Sequence, residues 1–155
     1  MVFLDYAINP LLKMLGNGYA SNEARVMMLA IGYQESNWEH RRQIGGPARG
    51  FWQFERDGGV KGVMQHPASR DEARLLCDSL QYPFHTDTVY EALADNDILA
   101  AGFARLLLWT DPNALPAIGR NEEAWAYYLR NWRPGKPHRS RWDAAYGKAR
   151  RDLRL

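Results

Sequence analysis

The sequence predicts a mainly α-helical fold: a bundle around one buried helix, interrupted by a glycine-rich insertion that lines a groove. Three observations predict it. Apolar residues recur at i, i+3, i+4 and i+7 in nearly every periodic stretch. Ser, Asn and Asp stand where these stretches begin, and Gly or Pro where they end. Only residues 37–68 break the pattern, with Gly45, Gly46, Pro47, Gly50, Gly58, Gly59, Gly62 and Pro67. The length of 155 residues suits one domain spanning 1–155, large enough for an ordinary apolar core.

The elements follow in order. After Pro10 a short helix, LLKMLG, should stop at Gly16 or Gly18. Ser21 can cap a helix running to about Ser36, with Val26, Leu29, Ala30 and Tyr33 on one stripe. The insertion reads as loops, or as a small β-hairpin around Phe51-Trp52-Gln53-Phe54-Glu55. Ser69 and Glu72 have capping-box spacing for a helix through Leu80, and Thr88 with Glu91 opens a short one. Asp95 or Asn96 opens a helix carrying Leu99, Gly102, Phe103 and Leu106, closed by Asp111-Pro112. Asn121 leads a helix with Trp125, Tyr128, Leu129 and Trp132, ended by Arg133-Pro134-Gly135. Ser140 leads the last, with Trp142, Ala145, Tyr146 and Ala149.

Composition excludes several classes. Six Trp and eight Tyr are too many for a disordered chain and plentiful for an aromatic-lined groove. A single cysteine, Cys77, rules out an internal disulfide framework or a multi-cysteine metal cage. His40, His66, His85 and His138 lack ligand spacing, so neither metal nor cofactor is expected. Apolar runs fall short of the about 20 residues a membrane helix needs, so no membrane insertion is expected. The opening MVFLDYAINPLLKMLG has no basic leader before an apolar stretch, and no signal peptide is expected.

The net charge of +2 hides an asymmetry. Residues 1–129 carry 11 basic and 16 acidic side chains, net −5, while 130–155 carry 9 and 2, net +7. A basic C-terminal end fits an anionic partner or a solvated helix face.

Glu35 is the residue most indicative of chemistry. Met28, Ile31 and Gly32 share its face, the opposite stripe is apolar too, and it sits at a helix C-terminus. Burial and the helix dipole should both strengthen its hold on a proton, as a general acid near neutral pH requires. The plainer alternative is a surface Glu pairing with Arg41 or Arg42. A two-carboxylate glycosidase would add a partner about 5–5.5 Å away for retention or about 6.5–9.5 Å for inversion. Glu39, Glu55 and Asp57 are the nearby candidates, and an extended chain would put Glu55 on the face of Gln53.

Gln34-Glu35-Ser36 at the helix end is followed by Gly-Pro-Ala-Arg-Gly-Phe-Trp-Gln-Phe and, later, by Ala126-Tyr127-Tyr128. Over residues 20–135 this resembles the lysozyme-like superfamily, most closely lytic transglycosylases related to goose-type lysozyme and their small phage-encoded members. The resemblance implies an α+β lysozyme-like fold with Glu35 as the catalytic acid and Ser36 beside it. It also implies that Gly50, Phe51, Trp52 and Gln53 line the sugar groove and that Tyr128 steadies the acid. Phe51-Trp52 replaces a smaller aliphatic pair, and Leu129 stands where the family has Asn.

The implied function is a peptidoglycan-degrading, bacteriolytic enzyme cleaving the MurNAc–GlcNAc β-1,4 bond to leave 1,6-anhydro-MurNAc, with Glu35 as the sole acid/base. The alternatives are a lysozyme hydrolysing that bond, and a non-enzymatic wall- or nucleic-acid-binding module using the basic C-terminal surface. Implied partners are peptidoglycan strands, with no nucleic acid and a monomeric chain. Such an enzyme would act in the bacterial periplasm or wall. Without a signal peptide it would be delivered as an endolysin through a holin or as part of a phage virion.

Overall fold

The structure, a computed structural model, describes residues 2–155. It is mainly helical. A π-helical segment, Leu4–Ile8, runs into α1 (Asn9–Leu15), which Gly16 ends in the left-handed region at φ +88°. The helix thus starts before Pro10, because Pro is tolerated in a first turn.

α2 (Asn22–Glu35) is capped by Ser21, whose hydroxyl accepts from Ala24 N at 3.0 Å. Every residue from Val26 to Gly32 is buried, so the helix has little exposed face, as its sequence predicts. The chain then turns sharply. Asn37 and Trp38 are both left-handed, at φ +51° and +59°, and the Trp38 indole folds back over Gly32. A β-carbon at Gly32 would lie 2.1 Å from that ring, so only glycine admits it.

The expected hairpin does not form. Among the described residues the insertion holds isolated antiparallel bridges, Arg42–Arg49 and Arg49–Phe54, and no strand. Its second half coils instead: a π-helical segment, Arg56–Val60, leads into α3 (Lys61–Gln65). Val60, Val63 and Met64 are buried there, so the segment adds to the core despite its glycines.

α4 (Arg70–Ser79) starts after Ser69, but the capping box is absent: the buried Ser69 hydroxyl donates to Val63 O at 2.7 Å. α5 spans Thr86–Asp95, opening ahead of Thr88. α6 (Asp97–Trp109) is capped by Asn96, which accepts from Leu99 N at 3.0 Å. It is buried from Leu99 through Leu108 and packs against α1, α2, α4 and α5. α7 (Asn121–Trp132) and α8 (Arg139–Asp152) follow, with Arg133 left-handed between them. α8 lies along α2, and the Tyr33 hydroxyl donates to Asp152 at 2.7 Å. Cys77 is fully buried on α4. No helix among the described residues is long and apolar enough to cross a membrane.

Candidate active site

A groove of about 1460 Å³ opens between the end of α2, the glycine-rich insertion, the end of α7 and the exposed side of α8. Glu35 lies in it, half-buried. Burial pushes its carboxyl up to about 7, and the negative charge of Glu55 adds to this, while a hydrogen bond from Tyr128 works against it. That bond is short, 2.6 Å from the Tyr128 hydroxyl to Glu35 Oε1. Burial first, then Glu35 itself, raises the Tyr128 hydroxyl strongly, so it remains a donor. With Oε1 accepting from Tyr128, Oε2 remains as the oxygen that can carry a proton.

Aromatic packing fixes Tyr128. Its ring stacks on Trp142 at 5.3 Å and 13°, and it meets Trp125 and Trp132 at tilted angles. Trp142 is anchored in turn by its indole N–H on Asn121 O, 3.0 Å away. Trp125 and Trp142 thus do the core packing that their helical spacing predicts.

Ser36 lines the groove, but its hydroxyl serves the turn: it donates to Gly32 O at 3.3 Å and accepts from Trp38 N at 3.1 Å. Gln53 also lines the groove, left-handed at φ +54°, with Nε2 donating to Gly50 O at 2.9 Å. Gly50, Phe51 and Trp52 stand apart from it. Gly50 is left-handed at φ +75°, and a β-carbon there would lie 2.9 Å from Leu93 O. Phe51 and Trp52, which the resemblance implies should line the sugar groove, are buried outside its lining instead. Trp52 donates its indole N–H to Met28 O at 2.8 Å and meets the Trp38 ring edge-on. Phe51 packs against Phe3 and Trp38. The reason is local: Trp38, folded over Gly32, builds an aromatic cluster that this loop closes.

The three candidate second carboxylates separate. Glu39 lies outside the groove, bonded to Asn37. Asp57 lines it, but the Lys61 ammonium at 2.8 Å holds its carboxyl below the usual range, with Arg56 also paired to it. Glu55 lines the groove and acts on Glu35. It shares the groove with Gln53 without a strand to align them.

Two further lining residues, Gln34 and Trp132, are not among those the sequence marks for the groove. Trp132, read as part of a core stripe, is half-buried in the groove wall and donates its indole N–H to Trp52 O at 2.9 Å. Gln34 donates from Nε2 to His138 O at 3.0 Å, and its buried Oε1 has no hydrogen-bond partner. Among the described residues no cluster of His, Cys, Asp and Glu could hold a metal ion. A scan against protein-family models, a search of curated proteins and a search of solved structures each return no match.

Proposed function

We propose that this protein is a lytic transglycosylase, cleaving the MurNAc–GlcNAc bond of peptidoglycan in a lysozyme-like fold. One observation carries the reading: a carboxyl group raised to about 7, held by a tyrosine hydroxyl, in a groove of about 1460 Å³. Glu35 Oε2 gives its proton to the glycosidic oxygen as the bond to the anomeric carbon breaks. The substrate's N-acetyl oxygen closes on that carbon and holds it as a cyclic cation. Glu35, now ionised, takes the proton of the same sugar's 6-hydroxyl, whose oxygen displaces the N-acetyl oxygen to form the 1,6-anhydro ring. The acid ends protonated, and no water is consumed.

A second reading is favoured by Glu55, which lines the groove and acts electrostatically on Glu35. As a general base it would direct water to the anomeric carbon and make the enzyme a hydrolase.

Digestion of purified sacculi with mass spectrometry of the products tests both. Wild-type protein should release anhydro ends, one water lighter than the reducing ends a hydrolase leaves. Glu35→Gln should fold and release neither. Lysis by a folded Glu35→Gln protein would refute the assignment of the acid.

A further inference from the structure

A second cavity, of about 560 Å³, shares no lining residue with the groove. It lies between the residues that lead into α2, the end of α6 and the loop 111–115. Arg105, on the buried helix α6, lines it and is only 3% exposed. Its Nε donates to Tyr19 O at 2.8 Å, and its guanidinium lies over the rings of Trp109 at 5.3 Å and Tyr19 at 5.8 Å. Among the described residues no carboxylate pairs with it. Burial pulls its pKa below the usual guanidinium range, and Tyr127 and Tyr19, not an acid, oppose that pull.

A buried charge is ordinarily paired, because water no longer solvates it. A guanidinium has five N–H donors, and here the one on Nε is spent on Tyr19 O. Those on the two terminal nitrogens have no acceptor, yet neither nitrogen is sealed from the surface. Around them the lining is largely apolar, with Leu108, Trp109, Pro112, Ala114 and Leu115. Trp109 is 39% exposed and tilts against Tyr19 at 4.4 Å, so part of its ring stays open to a partner. Two acids also line the cavity. Asp111 is already met by Arg130 at 3.1 Å, by Asn131 and by Asn113, while Glu23 is half-buried in the first turn of α2. Their charges repel a polyanion such as phosphate more strongly than a single carboxylate.

We propose that this cavity binds a small organic carboxylate, its oxygens held by the terminal nitrogens of Arg105 and its apolar or aromatic body against Trp109 and Leu115. A carboxylate matches the flat fork of a guanidinium with two parallel hydrogen bonds. The bound anion supplies the counter-charge that the buried Arg105 lacks. The site stands apart from the glycosidase reading, since Arg105, Trp109 and Leu115 do not line the groove.

Benzoate is the probe, titrated into the whole protein and followed through the NMR signals of the Trp109 indole N–H and the Arg105 Nε–H. Both signals should move together, with a Kd of about 1 mM, ordinary for so small a ligand. Benzamide, which is neutral and of similar shape, and inorganic phosphate should each bind about tenfold more weakly. Arg105→Lys keeps the charge without the fork and should weaken benzoate by about tenfold. Trp109→Ala alters a partly exposed position and should weaken it several-fold in a folded protein. If Arg105→Lys does not fold, the wild-type titrations and Trp109→Ala decide. Benzoate that leaves both signals unmoved overturns the site, and Arg105 then only ties Tyr19 to α6. A folded Arg105→Lys protein that binds benzoate as the wild type does overturns it too. Equal binding of benzamide or phosphate overturns the choice of a carboxylate.

Discussion

At the scale of the residue, the site is a competition over one proton. Burial and Glu55 raise the Glu35 carboxyl, and the Tyr128 hydrogen bond pulls it back. If the protonated form is the active one, kcat/KM should fall about tenfold per pH unit above about 7. Tyr128→Phe removes the group that favours the ionised carboxylate, so the alkaline limb should move to higher pH while the maximum rate falls. An unmoved limb in a pH–rate profile would show that the Tyr128 bond does not set the proton affinity. The sequence made the acid legible, because the apolar spacing of Met28, Ile31 and Gly32 places Glu35 on a buried helix face. Its tyrosine partner lies 93 residues away, and periodicity marks Tyr128 only as inward-facing. Nothing in a linear pattern pairs two such groups.

At the scale of the element, the end of α2 depends on the Gly32–Trp38 contact. Gly32→Ala would place a β-carbon within 2.1 Å of the indole, and forcing the ring outward should destabilise the protein by about 1–3 kcal/mol in urea unfolding. Activity should fall as well, since the displaced turn carries Glu35 and Ser36. Equal unfolding midpoints would mean that Trp38 moves freely. Helices with a capping residue and a regular stripe were readable: Ser21 and Asn96 cap where their chemistry predicts. Ser69 shows the limit, since its hydroxyl found a buried carbonyl on a preceding helix and left the cap unmade. The insertion was the least readable element. Its glycines mark loops, yet Phe51, Trp52, Phe54, Val60 and Val63 are core residues without a period to declare them.

At the scale of the whole molecule, the buried acid ties stability to pH. Folded Glu35 binds its proton more tightly than the unfolded chain, with about 7 against 4.5. The unfolded state therefore releases its proton first as pH rises, and stability falls across that window. The loss should reach about 3 kcal/mol above pH 7. Glu35→Gln abolishes this dependence, so its melting temperature should exceed that of wild type at pH 8 by more than at pH 5. Parallel melting curves for the two proteins across that range would contradict the burial of an ionisable acid. The charge asymmetry of the sequence also has a place in the fold, because basic residues of the C-terminal end form one wall of the groove. Which of them face it could not be read from the count, since of the charged residues of α8 only Arg141 and Lys148 line the groove, while Asp143 and Asp152 do not.

Cys77 carries a quieter consequence of this architecture. Sealed on α4 with no accessible surface, its thiol is pushed up by burial to about 11. At neutral pH roughly one molecule in ten thousand would hold the reactive thiolate. Alkylating reagents, peroxide and glutathione thus find no accessible thiol while the fold stays closed, and two copies cannot be cross-linked through it. The thiol therefore stays in one form in reducing and oxidising media alike.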